Sequence, residues 1–256
     1  MYPISAKITT ILLCAGRGSR LKSYTNDIPK CMTKINGRSL LNYQIDQIEK
    51  HCLLNLVVGY KSQIIKNEFG SKYKIYENLN YESTNMLYSL FCCAELFNDK
   101  LLISYGDIVY TEKTLIKLLQ SEFDITIASD SNFFEYWSQR SENPMDDLET
   151  FISEGNNLIE IGKKTNDVKK IMGQYIGLIK LSKKGAEIFK NYYNKNINEF
   201  RKYDMTSFLN FLLKKNIKIN IIPFTDPWVE IDSVKDLLSN ITLKRLQSID
   251  KKNCQN

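Results

Sequence analysis

The run from Thr9 to Leu21 constrains this chain more than any other stretch. Thr9-Thr10-Ile11-Leu12-Leu13-Cys14 is short, apolar and rich in β-branched residues, the pattern of a buried strand. It empties into Ala15-Gly16-Arg17-Gly18-Ser19-Arg20, a loop with two glycines and two arginines. Glycine lets the backbone come close to a ligand, and a row of backbone N–H groups beside arginine suits an anion such as a nucleotide phosphate. A dinucleotide fingerprint needs a third glycine at position 21, where Leu21 stands; a P-loop needs Gly-Lys-Ser/Thr, which is absent here. For Gly-x-Gly alone, an ordinary tight turn is an equal explanation. The sequel, Arg20-Leu21 and then Pro29-Lys30, narrows the choice.

Past that loop, apolar residues at helical spacing predict helices over 39–48, 62–69, 85–97, 112–120, 183–193, 206–215 and 233–247. Short apolar runs predict strands over 54–58, 74–76, 101–105, 124–129, 149–152, 158–161, 174–181, 217–222 and 228–231. Residues 130–147 read as a polar connection with one tryptophan. Strands alternating with helices imply an α/β fold, a doubly wound, mostly parallel sheet with helices on both faces. Ligands of such sheets bind outside the carboxyl ends of the strands, so residues 14–20, 77–85 and Asp107 are expected on one rim. No repeat or linker divides the 256 residues, and a single domain is expected, with residues 1–130 as a nucleotide half and 131–240 as an acceptor half.

The net charge of +6 comes from 35 basic and 29 acidic residues, and the lysines are spread along the chain. Without an arginine-rich arm or an aromatic RNA motif, that balance reads as a solvated surface and not as nucleic-acid binding. Six cysteines without CxxC spacing, beside a single histidine, argue against a zinc site and a disulfide framework. His51, at the end of a helical pattern, reads as a helix-end or surface histidine before a catalytic base. No signal peptide or long apolar span is visible, so a cytoplasmic location away from membranes is expected, and the oligomeric state, a homo-oligomer included, stays open.

Asp107 closes a strand just after Gly106, where a carboxylate can point into the crevice and offer oxygen to magnesium. A turn aspartate is the simpler reading of Gly-Asp alone. In Trp228-Val229-Glu230-Ile231-Asp232, period-two alternation puts Glu230 and Asp232 on one face; Asp232 also fits a helix N-cap region. Arg20 and Lys30 are cations that can stabilise a departing pyrophosphate, or two solvated bases on a long loop. Thr84 and Asn85 carry donors and acceptors for a pyrimidine edge, and simple helix capping explains them nearly as well. Ser89 lies one turn further in. In the middle of the chain, Trp137 and Arg140 precede Asp146, Asp147 and Glu149, then Lys163 and Tyr175. A tryptophan face and carboxylates suit an amine, and Arg140 with Lys163 suits a phosphate; a core tryptophan beside a solvated charge run is the alternative.

Leu13-Cys14-Ala15-Gly16-Arg17-Gly18-Ser19-Arg20-Leu21 followed by Pro29-Lys30 resembles the signature of the sugar-phosphate nucleotidyltransferases. The middle segments are similar to the branch that activates choline phosphate, aminoethylphosphonate or phosphoglutamine with CTP. This resemblance implies a Rossmann-like fold of the nucleotide-diphospho-sugar transferase type, with a small β-rich acceptor-binding insertion. It also implies Mg2+-dependent transfer of CMP from CTP to a small phosphorylated or phosphonate acceptor. It assigns Leu13, Cys14, Ala15, Gly16, Arg17, Gly18, Thr84, Asn85, Ser89 and Gly106 to the nucleotide, and Asp107 and Asp232 to the metal. Arg20, Lys30 and Lys163 become the catalytic cations, and Trp137, Arg140, Asp147, Glu149 and Tyr175 the acceptor site. Two departures stand out: Cys14 replaces the usual alanine, and the usual proline after Arg20-Leu21 is missing. The competing functions are a hexose-1-phosphate nucleotidyltransferase using UTP or dTTP, and a non-catalytic nucleotide-binding regulator.

Overall fold

The opening strand, β1 (Ile8–Cys14), lies inside a nine-stranded sheet of a computed structural model that describes residues 7–141, 143–146 and 148–253. The other strands are β2 (Cys52–Val58), β3 (Lys74–Glu77), β4 (Leu101–Tyr105), β5 (Ile125–Asp130), β6 (Glu149–Glu154), β7 (Asn157–Lys164), β8 (Gln174–Leu181) and β9 (Asn220–Phe224). Across the sheet the order is β3-β2-β1-β4-β8-β5-β9-β7-β6. Only β8 and β7 run against the other seven, so the sheet is mixed but mostly parallel.

Alternation along β1 divides the core. Ile11 and Leu13 face a layer built by the helices Met86–Phe91, Lys183–Lys195 and Met205–Lys214. Leu12 and Cys14 face the layer of Leu40–Ile48, Ser62–Phe69 and Glu112–Leu119. A strand buried on both faces is apolar at nearly every position, which is why β1 shows no polar alternation. Ser39, Thr111, Ser182 and Asp204 cap their helices through side-chain oxygens.

Three expectations change. Residues 133–140 form a helix, because Phe133, Tyr136, Trp137 and Arg140 fall at i, i+3, i+4 and i+7 and are all buried. The helix expected over 85–97 ends at Phe91 with Cys92 as its cap, leaves α geometry at Cys93, and a 3-10 turn follows at Ala94–Leu96. The last helix is broken at Ser239, whose ψ of 134° is extended, into Val234–Leu238 and Asn240–Asn253. The β-rich middle segment does not stand apart: β6 and β7 pair across Gly155-Asn156, and β7 joins β9 at Asn157.

One small ladder matters for the site. Ile108–Tyr110 pairs antiparallel with Trp228–Glu230, and the N–H of Ile231 donates to the carbonyl of Asp107 at 2.9 Å. Two segments over a hundred residues apart in sequence thereby deliver Asp107 and Asp232 to the same place.

Candidate active site

The carboxyl ends of β1 and β4, the segment after β3 and the end of the small ladder enclose a cleft of about 440 Å³. That volume falls in the range of roughly 300–1,000 Å³ usual for small-molecule sites. The convergence expected for 14–20, 77–85 and Asp107 is what the structure shows: Leu13, Cys14, Ala15, Gly16, Gly18, Thr84, Asn85, Ser89, Gly106 and Asp107 all line it. Arg20, Lys30 and Asp232 line it too.

Among the described residues, no backbone carbonyl accepts from the N–H groups of Gly16, Arg17 or Gly18, so these donors remain for a ligand. Gly18 takes a left-handed φ of 69°, and a Cβ there would stand 2.7 Å from Cγ of Lys30. The glycine loop therefore rests on the stem of that lysine. A Cβ at Gly106 would stand 2.5 Å from the carbonyl oxygen of Leu13, so only glycine lets β4 close against β1 at this point. The thiol of Cys14 is pushed well above the usual thiol range by a hydrogen bond with Cys31 and by burial. A thiol held neutral in this way is a poor nucleophile.

The charged centre is compact. Nζ of Lys30 donates to Oδ2 of Asp107 at 2.6 Å and to Oδ1 of Asp232 at 2.7 Å. The guanidinium of Arg20 pairs with Oδ2 of Asp232 while staying mostly exposed. Burial alone would lower the pKa of Lys30, but the charges of Asp107 and Asp232 and their hydrogen bonds outweigh it and raise it. The ammonium therefore stays charged. Oδ1 of Asp107 is buried and has no hydrogen-bond partner. A hard oxygen donor left unpaired beside a second carboxylate fits a magnesium ion, which takes one or two protein carboxylates and completes its shell with water and phosphate.

At the other end, Asn78 is 1% exposed, and its Nδ2 donates to Oγ1 of Thr84 at 3.0 Å and to Oγ of Ser89 at 2.9 Å. It fixes both hydroxyls. Asn85 caps the helix Met86–Phe91 through Oδ1 and donates from Nδ2 to the carbonyl of Lys202 at 3.2 Å. The capping reading of this asparagine holds, and the residue also lines the cleft. Tyr105 also lines the cleft, with the ring of Tyr175 behind it in an edge-to-face contact at 5.8 Å. Burial, then the neighbouring Tyr175 and Asp107, push the Tyr105 phenol well up, so it stays a neutral hydrogen-bond donor.

Several anticipated residues are placed elsewhere. Trp137 is 4% exposed in a small apolar cluster with Phe133, Leu148 and Ile171, and the guanidinium of Arg140 covers its ring at 4.4 Å. No ammonium can reach that face. Arg140 is itself buried and bound to Asp236 and Glu230, which corrects its assignment to an acceptor phosphate. Lys163 stands on β7, near the far edge of the sheet, half-exposed and paired with Glu160; it does not line the cleft. Arg17 turns away over the ring of Tyr60 at 5.5 Å. Glu149, on the edge strand β6, and Tyr175, which packs behind Tyr105, do not line the cleft. Burial and the nearby Asp204 push the Glu149 carboxyl upward. Asp147 lies outside the described residues.

Sequence reasoning missed Tyr81, Met86 and Tyr105 as lining residues and Asn78 as the buried support of Thr84 and Ser89, and left Glu230 without a role. Asn78 and Tyr81 sit in the Glu77–Asn85 segment already singled out, but only burial separates Asn78 from an ordinary loop asparagine. The period-two argument did identify Glu230, which shares the cleft with Asp232.

With this geometry in hand, likeness to known proteins becomes informative. Residues 10–151 match the MobA-like NTP transferase domain. The chain is 34% identical over 252 residues to the CTP:phosphoglutamine cytidylyltransferase of Campylobacter jejuni, covering 90% of this chain and 98% of that protein. It is 27% identical over 241 residues to the bifunctional protein GlmU of Methanocaldococcus jannaschii, of which it spans 54%. Its fold is like that of the inositol-1-phosphate CTP transferase from T. maritima, with a TM-score of 0.75 at 22% identity, covering 96% of this chain and 98% of the other. The CTP:phosphocholine cytidylyltransferase from Streptococcus pneumoniae gives 0.69 at 19% identity, covering 95% of this chain and 99% of the other. The chain belongs to the MobA-like NTP transferase domain family, and it is a nucleotidyltransferase.

Proposed function

We propose that the protein is a Mg2+-dependent cytidylyltransferase. It moves CMP from CTP to a phosphate or phosphonate oxygen of a small acceptor and releases pyrophosphate. The observation that carries this reading is the meeting of Lys30 with both Asp107 and Asp232 in one cleft, beside a glycine loop with free amides. The Campylobacter relative supports CTP as donor and a phosphorylated acceptor.

An oxygen of the acceptor attacks the α-phosphorus in line, the bond from that phosphorus to the bridging oxygen breaks, and pyrophosphate leaves with the electron pair. Catalysis of this kind is positioning plus stabilisation of charge. The amides of Gly16 to Gly18 hold phosphate oxygens, and Arg20 and Lys30 meet the charge that grows on the pyrophosphate. Thr84, Ser89 and the backbone near Asn85 receive the pyrimidine, with Asn78 orienting the two hydroxyls. Asp107 and Asp232 would hold the magnesium ion, whose chemistry when bound is to neutralise charge on the phosphate oxygens. The acceptor enters along Tyr105, which Tyr175 backs, and residues 131–240 supply that half of the site. Cytoplasmic conditions suit the free thiols of Cys14 and Cys31.

The test is pyrophosphate release from each NTP with a panel of acceptors: choline phosphate, aminoethylphosphonate, phosphoglutamine and glucose 1-phosphate. Release with CTP, Mg2+ and one of the first three is expected. Turnover with UTP and glucose 1-phosphate but not with CTP would sink this reading. Asp107→Ala and Asp232→Ala should each lower turnover by orders of magnitude while the fold survives, and wild-type rates in either variant would count against the metal assignment.

A further inference from the structure

Arg140 has no free direction in which to meet a substrate, and what it holds is more informative. Nε donates to Oδ1 of Asp236 at 2.6 Å, Nη2 to Oδ2 of Asp236 at 3.0 Å, and Nη1 to Oε2 of Glu230 at 2.7 Å. Its ring-facing side is closed by Trp137. Arg140 is 9% exposed and Asp236 4%.

Asp236 passes the constraint on. Its Oδ2 accepts the N–H of Asp232 at 3.0 Å, the N–H of Ser233 at 2.8 Å and the hydroxyl of Ser233 at 2.9 Å. The Ser233 hydroxyl oxygen in turn accepts the N–H of Asp236, which completes a capping box at the start of Val234–Leu238. A carboxylate that accepts three donors stays aligned only if its plane is fixed from the other side. The bidentate fork of an arginine does that, whereas a lysine would supply one point contact. Arg140 also neutralises Glu230, the third carboxylate of the cleft, and so limits its repulsion on Asp107 and Asp232.

We propose that Arg140 is a positioning residue for the metal site, acting through Asp236 on the backbone of Asp232 and through Glu230 on the charge of the cleft. This rests on the reading of Asp232 as a metal carboxylate. The helix Phe133–Arg140 therefore serves the catalytic centre from behind and is no part of the acceptor pocket.

The probe is Mn2+, titrated into the purified protein and followed by the electron paramagnetic resonance signal of the free ion. Arg140→Lys should raise the Mn2+ dissociation constant by about tenfold, the size of effect that loss of an outer partner has on a metal ligand. Ser233→Ala loosens the same capping box from its exposed side without stranding a buried charge, and should shift Mn2+ binding in the same direction. It carries the test if Arg140→Lys does not fold. The turnover lost in either variant should return at saturating Mn2+, which a loss of acceptor binding would not do. If Asp232→Ala abolishes Mn2+ binding while Arg140→Lys and Ser233→Ala bind as wild type, the positioning role is overturned and the metal reading stands. If Asp232→Ala binds Mn2+ as wild type, the metal reading itself falls.

Discussion

At the residue scale, the site depends on what a side chain at a given point would collide with. Gly16 has nothing within 4 Å of the position a Cβ would take, in contrast to Gly18 and Gly106. Gly16→Ala should leave stability within about 0.5 kcal/mol of wild type. It should nevertheless cut turnover by about a hundredfold, because a methyl group displaces phosphate from the loop by about an ångström. Thermal melting and pyrophosphate release, measured side by side, check both halves. Lys30 makes the complementary case. Lys30→Met would leave Asp107 without its cation and Asp232 with only the exposed Arg20, at a cost on the order of 3 kcal/mol. Addition of Mg2+ should then raise the melting temperature of the variant more than that of the wild type. Equal shifts would show that the two carboxylates do not share an ion.

At the scale of elements, the ladder of Ile108–Tyr110 with Trp228–Glu230 does the positioning. Leu21, Val109, Val229 and Ile231 belong to one buried cluster, completed by Leu237, Leu246 and Ile249 of the C-terminal helices. The same cluster thus holds the phosphate loop through Leu21 and the acidic pair through the ladder. Ile231 is fully buried there, and Ile231→Ala should cost about 2–5 kcal/mol in unfolding experiments. Since it stands between Glu230 and Asp232, kcat should fall more than the KM for CTP rises. The sequence read most strands and helices correctly because apolar periodicity reports local burial. It missed the helix Phe133–Arg140 because that buried face includes an arginine, a residue type that polarity alone assigns to the surface. Only its pairing with Asp236 and Glu230 makes burial tolerable.

At the scale of the whole molecule, carboxylates drawn from distant segments make stability depend on pH. Burial works to raise the Asp236 carboxyl, but the hydrogen bond and charge of Arg140 and the donors at Asp232 and Ser233 outweigh it and hold it below the usual range. A carboxyl depressed in the folded state contributes stability that is complete above its unfolded pKa of about 3.9 and is lost as pH falls through the lower folded value. The melting temperature of the wild type should therefore drop steeply below about pH 4, and less steeply in Asp236→Asn, which starts lower. Parallel slopes in the two proteins would remove Asp236 from the acid transition.

Taken alone, the sequence determined the alternating strand–helix architecture and the glycine loop after β1, and it singled out Arg20, Lys30, Asp107 and Asp232, which the fold brings to one cleft. Those features are written in local periodicity and in short motifs, where the physical cause lies within a few neighbouring residues. Tertiary structure alone decided that Trp137 and Arg140 are buried, that Lys163 lies on a far strand, and that Asn78 is buried behind Thr84 and Ser89. The burial of Arg140 and the anchoring of Thr84 by Asn78 depend on partners between 6 and 96 residues away. A residue's chemistry is set by which partner reaches it, and no spacing rule along the chain carries that information.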